Sequence, residues 1–109
     1  MRQLTFHEPG RVTWEDISEP ASMGDVDALV APIAVAACDL DAALMKGAFP
    51  VAGPFPLGHE FVGRVMEVGD SVDGVAVGDK VAVSFQISCG ECDRCMRGIT
   101  GSCRQVNPG

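Results

Sequence analysis

Fifteen residues near the end of the chain hold four of its five cysteines: Cys89, Cys92, Cys95 and Cys103, at spacing C-x2-C-x2-C-x7-C. Apolar side chains between them are limited to Met96 and Ile99, while Gly90, Gly98 and Gly101 loosen the backbone. A segment of this kind cannot hold a shape by burying a core of its own, so it needs a cross-link. Four thiolates around one tetrahedral ion supply one, and zinc is the usual occupant of such a donor set. Two disulfides are the weaker reading, because Met1-Arg2-Gln3-Leu4-Thr5 does not open an apolar export leader and five is an odd count. An iron–sulfur site is weaker too: the bacterial ferredoxin run closes on a short gap and Cys-Pro, whereas here seven residues precede Cys103 and Arg104 follows it. With sulfur in all four positions no coordination position is left for a substrate, so this lobe is read as scaffold and the chemistry is sought elsewhere.

The fifth cysteine, Cys38, stands at the end of an apolar run, with Asp41 three residues on and Gly58-His59-Glu60 about twenty residues further. Taken singly, Cys38 reads as a buried small hydrophobe and His59 as a surface or capped histidine. Taken together, a thiolate, an imidazole and a carboxylate are what a catalytic zinc with an open position requires. Asp41 is placed to hold the ring of His59 in its metal-binding tautomer, and Gly58 lets the backbone turn tightly enough to aim it.

The elements that must carry these groups read as mainly β. Leu4–His7 and Arg11–Ile17 form a hairpin across Glu8-Pro9-Gly10, with Trp14 as a core anchor. Glu19–Met23 reads as a loop. Asp27–Ala37 is an apolar run interrupted by Pro32, read as a buried strand with a bulge or an edge position at the proline. Asp39–Lys46 switches to helix formers, with Gly47 able to cap the end. Three prolines make Phe49–Leu57 an irregular loop. Glu60–Val68 and Lys80–Phe85 read as strands, the second leading into the cysteine lobe. Short strands, many glycine turns and one short helix predict a β-barrel or sandwich.

At 109 residues this is one domain, with 47% hydrophobic and 21% charged residues as in ordinary globular chains. A net charge of −7 argues against nucleic acid as a partner. No run approaches the ~20 apolar residues that span a bilayer. Reduced cysteines and no export signal point to the cytoplasm.

Four stretches resemble one family in order and spacing: Ala37-Cys38-Asp39-Leu40-Asp41, Gly58-His59-Glu60, Val77-Gly78-Asp79-Lys80-Val81, and the cysteine lobe. The chain is similar almost end to end to zinc-dependent medium-chain alcohol dehydrogenases. The resemblance implies a GroES-like, partly open β-barrel that forms the N-terminal portion of a catalytic domain over residues 1–109. It implies Cys38 and His59 as catalytic zinc ligands, Glu60 as a zinc-proximal carboxylate, Asp41 as the partner of His59, and Cys89, Cys92, Cys95 and Cys103 around a structural zinc. It also implies hydride transfer between a small alcohol, aldehyde or ketone and NAD or NADP.

Three positions depart from the family pattern. Leu40 stands where Ser or Thr usually relays a proton. Asp39 follows the catalytic cysteine where some members carry a basic or histidine side chain. No G-x-G-x-x-G fingerprint occurs before Gly109. The nucleotide-binding domain and a third protein ligand are expected beyond it, which makes the isolated chain inactive, with its catalytic zinc site incomplete and its uncovered apolar surface prone to homo-oligomerise. The alternative is a stand-alone zinc-stabilised GroES-like binding or scaffold module, since fold does not fix function.

Overall fold

A computed structural model describes residues 1–20 and 23–106. Strand β1 (Arg2–Glu8) and strand β2 (Arg11–Asp16) form the expected hairpin, in register Leu4↔Trp14 and Phe6↔Val12. Strand β3 is Ala28–Val35 and helix α1 is Asp39–Met45. A two-residue strand β4 (Phe55–Pro56) precedes β5 (Phe61–Val68) and β6 (Lys80–Val83). The lobe adds one helical turn, α2 (Asp93–Met96), and a 3-10 turn over Thr100–Ser102. The strands make two three-stranded antiparallel sheets, ordered β2-β1-β4 and β3-β5-β6, neither closed on itself.

The fold is therefore mainly β, with both sheets open, as expected. Pro32 lacks an N–H, and β3 accommodates it in both predicted ways: β3 is an edge strand, and its register with β5 shifts between Pro32 and Ala34. Gly47, at φ +74°, ends α1 in the left-handed conformation that favours glycine.

Two readings need correction. Trp14 is not a core anchor: it is 61% exposed on the outer face of the hairpin, where the Arg2 guanidinium lies 5.2 Å from its ring. β3 is not buried either, and Ile33 and Val35 are more than half exposed. Apolar composition alone does not bury a strand on the edge of a three-stranded sheet.

The core is small. Phe6, Val65 and Cys103 are fully buried, Cys95 nearly so, and Thr5 is the buried polar side chain. Phe6 stacks on Phe55 with ring centroids 5.0 Å apart, which ties β1 to β4 and to the loop that enters the site. The expected irregular loop over Phe49–Leu57 thus holds one short paired strand. The predicted loop Glu19–Met23 falls partly on Ala21 and Ser22, outside the described residues, as does 107–109 at the end.

Candidate metal centres

The lobe gathers its four cysteines. Their sulfur atoms lie within 4.8 Å of one another, and none of the chain's five cysteines is in a disulfide. Cys89 Sγ and Cys95 Sγ are 3.9 Å apart. A tetrahedral ion with metal–sulfur bonds near 2.3 Å sets its sulfurs about 3.8 Å apart, so the donor set fits zinc. The backbone is folded to serve the sulfurs: Cys92 N–H donates to Cys89 Sγ at 3.4 Å, and Cys89 N–H donates to Cys103 Sγ at 3.4 Å. Such donors favour the thiolate, the form that ligates.

The four thiols differ accordingly. N–H donation from Arg104, then Cys95, brings Cys92 down to about 6. Donation from Cys89 and Val106 lowers Cys103. Burial pushes Cys95 up to about 11, so a cation must arrive for that thiol to ionise near neutrality.

One ion pair closes the lobe on itself. Arg104, next to Cys103, donates to both carboxylate oxygens of Asp93, next to Cys92, at 2.6 and 3.1 Å. Both side chains are more than half exposed, so water screens the pair. Arg104→Ala should therefore speed zinc release from the lobe by about tenfold at most, followed with a chromogenic chelator. The backbone N–H of Arg104 still faces Cys92 in that variant. A hundredfold change would mean the side chain does more than hold Asp93.

The second cluster is built at the start of α1. Cys38 is its N-cap, with an extended backbone, and its sulfur accepts from Leu40 N–H at 3.3 Å. Asp41 completes a capping box: its Oδ2 accepts from Cys38 N–H at 3.0 Å. His59 enters from the other side, after Gly58 at φ +114°, where an added Cβ would press on Val35. Its Nε2 faces Cys38 Sγ at 3.4 Å, and its Nδ1 faces Asp41 Oδ1 at 3.5 Å. A tetrahedral zinc bonded to one sulfur and one imidazole nitrogen would separate them by about 3.6 Å, so this pair fits as well. Phe85 meets the ring of His59 edge-on at 6.2 Å.

Cys38, Asp41 and His59 thus offer ligand atoms within 4.8 Å of one another, across 21 residues of sequence. Cys38 is exposed, unlike the buried small hydrophobe it resembles when read alone. Glu60 is not part of this cluster; it lines the same cleft, as do Cys38, Asp41 and His59. That cleft has a volume near 630 Å³, and its other walls are apolar, among them Leu40, Leu44, Phe49, Val51 and Phe85. Of these, the sequence singled out only Leu40, and as a departure from the family pattern, not as a wall. The signal was there in part: Leu40 and Leu44 are four apart on α1 and share a face.

Known proteins carry the same architecture. Residues 24–109 match the family model for the alcohol dehydrogenase GroES-like domain. The zinc-type alcohol dehydrogenase B of Aspergillus flavus is 35% identical over 105 residues, covering 96% of this chain and 24% of that protein. The alcohol dehydrogenase of Thermus sp. ATN1 superposes with a TM-score of 0.86 at 36% identity, covering 96% of this chain and 30% of that one. The CAD protein of Helicobacter pylori, solved with NADP(H), superposes with a TM-score of 0.78 at 26% identity, covering 94% of this chain and 30% of that one. The chain thus spans about a quarter to a third of the length of these relatives. Among the described residues, no helix is long and apolar enough to cross a membrane. From the family match and the two cysteine-bearing clusters together, this chain belongs to the alcohol dehydrogenase GroES-like domain family, among the zinc-type medium-chain dehydrogenases.

Proposed function

We propose that this chain is the N-terminal portion of the catalytic domain of a zinc-dependent oxidoreductase that moves hydride between a small alcohol or carbonyl substrate and NAD or NADP. The observation that carries this reading is the facing of Cys38 Sγ and His59 Nε2 at 3.4 Å, with Asp41 behind the imidazole and both ligands opening into one cleft. Cys38 and His59 would hold the catalytic zinc, Glu60 would lie beside it, and the four-cysteine lobe would hold the structural zinc. When bound, the metal supplies Lewis acidity that polarises the substrate oxygen.

The chain's own residues prepare that position. Asp41 serves both ligands: one carboxylate oxygen fixes the backbone of Cys38 and the other faces His59 Nδ1, leaving Nε2 to point at the sulfur. In the oxidation direction the alcohol loses a hydride from carbon to the nicotinamide and a proton from its hydroxyl. Leu40 carries no group that could take that proton, so either the relay is rerouted around position 40 or the preferred chemistry differs. A third protein donor and the nicotinamide site would come from sequence beyond this chain. The unpaired thiols suit a reducing compartment such as the cytoplasm.

Zinc titration tests this. Two classes of site are expected, a tight one at the lobe and a weaker one at Cys38 and His59. Cys38→Ala should abolish only the weaker class, and Asp41→Asn should weaken it ~10–100-fold. A single class untouched by Cys38→Ala would favour the alternative, a zinc-stabilised binding or scaffold module.

A further inference from the structure

The two open sheets have β2 and β4 as the edges of the first and β3 and β6 as the edges of the second. An open edge presents unpaired N–H and C=O groups and accepts another strand unless something blunts it. Three of these edges are blunted. β3 carries Pro32 and a register shift, β4 is two residues long and ends on Pro56, and β6 is four residues long and opens on Lys80. β2 is different: Arg11-Val12-Thr13-Trp14-Glu15-Asp16 runs without proline or glycine, and the hairpin's bulge lies at His7 in β1. Met1 and Ile17 exchange hydrogen bonds in both directions, so by alternation Thr13 and Glu15 turn their backbone groups toward β1. Val12, Trp14 and Asp16 therefore turn theirs away from it. Among the described residues, no loop or turn takes up those outward groups.

We infer that β2 is a docking edge for a second copy of this chain, antiparallel across a two-fold axis at Thr13, so that the two first sheets join into one. Outward residues must face outward residues, which puts the axis at a residue and not between two. With the axis at Thr13, Val12 exchanges main-chain hydrogen bonds with the other copy's Trp14. On one face Val12 then meets the exposed Trp14 ring, and on the other Arg11 meets Glu15. An axis at Trp14 would set Val12 against Asp16, and an axis at Glu15 would oppose two like charges. Glu15 is already fixed on its face: its carboxylate accepts from Thr5 Oγ1 at 2.9 Å and Thr13 Oγ1 at 3.2 Å, with His7 Nε2 at 3.0 Å. Hydrogen bonding from Thr5, the largest of these effects, holds that carboxyl below the usual carboxylate range, so it meets Arg11 charged. Arg11 can turn to it, because its contact with Glu8 is more than half exposed on both sides and screened by water. The strip is short and each chain carries a net charge of −7, so the dimer is weak, with a dissociation constant on the order of 10⁻⁴ M. At the micromolar concentrations of an unfolding titration the chain is monomeric. The association does not depend on the chemistry assigned to the cleft.

Sedimentation of the whole chain from about 10 μM to about 1 mM tests this, with zinc and a reductant present so that the lobe does not cross-link. The average mass should rise from that of one chain toward that of two. Trp14 is the chain's one tryptophan, so its emission should move to the blue over the same range. Amide exchange should slow at Val12 and Trp14, while Val65 in β5 keeps its rate. Isotope-filtered NMR on mixed labelled and unlabelled chains should place the Trp14 indole against the other copy's Val12 methyls. Arg11→Glu, which opposes two acids, should weaken association roughly tenfold or more. If that change loosens the hairpin, Trp14→Lys, which puts a cation on the edge, should give the same loss with Val65 exchange unaltered. A chain that stays monomeric at the top of the range overturns the proposal. So does a dimer that leaves Val12 and Trp14 exchanging freely, or one that neither variant weakens, because another surface then makes it. Contacts between the two Trp14 rings in place of Trp14 and Val12 overturn the register.

Discussion

Cys103→Ala is expected to empty the lobe of zinc and to unfold residues 89–103 while both sheets persist. Cys103 is fully buried, and its sulfur accepts the backbone N–H of Cys89, so it ties the end of the lobe to its beginning. Nothing else in the segment can take over. Met96 is 75% exposed and Ile99 39%, α2 is a single turn, and the Asp93–Arg104 pair lies in water. Metal binding and folding are then one event for this segment. Losing a direct ligand should lower zinc affinity by more than the ~10–100-fold that loss of an outer partner costs. A chelator acting on the unmodified chain should produce the same state. Metal content and amide hydrogen exchange check both results. Protection should vanish over 89–103 and survive in β5, which is paired on both sides. If a chelator strips the metal and the exchange of 89–103 does not change, the lobe is held by its protein contacts and the ion is a passenger. Cys38→Ala is the matched control: it removes a thiol from the other cluster and should leave the lobe protected.

The two clusters were legible in the sequence for different reasons. The lobe announces itself because its ligands are dense and its apolar content is low, so no competing explanation holds the segment together. The C-x2-C pair Cys92 and Cys95 even carries the turn of α2, since residues three apart share a helical face, although that helix was not anticipated. The cluster of Cys38, Asp41 and His59 was legible through the order of several short motifs, because the distance of 21 residues between Cys38 and His59 carries no local signal. Trp14 and β3 were misread for one physical cause. Strand propensity and apolarity say that a residue suits a sheet, but burial depends on what covers that sheet. Each sheet here has three strands, and the outer faces of the hairpin and of β3 are left open to water. The cleft walls were readable only on α1, where Leu40 and Leu44 share a face, because the rest come from the loop before β4 and the segment after β6, which meet α1 only in three dimensions.

Phe6→Ala is expected to cost ~3–5 kcal/mol, a large loss against the ~5–15 kcal/mol that ordinarily holds a domain folded. The size of the effect follows from how little else is buried. Among the described residues, Phe6, Val65, Cys95 and Cys103 make up the buried apolar core, and two of those four belong to the lobe. Phe6 is therefore the main anchor of the first sheet. Its ring stacks on Phe55 at 5.0 Å, and its backbone pairs with Phe55 in β4. Removing it leaves a cavity under Phe55, and the two-residue β4 has no second side chain of that size to close it. Phe55 and Leu57 also line the cleft, so the same change should loosen one wall of the site without touching Cys38 or His59. Denaturant titration should show a lower midpoint with an unchanged slope, as a loss of stability in a cooperative unit requires. Trp14→Ala supplies the contrast: the larger side chain, 61% exposed, should shift stability by no more than ~0.5 kcal/mol. If the two variants were equally damaging, the hairpin would be buried on its outer face in solution, and the face carrying Trp14 would be a contact surface.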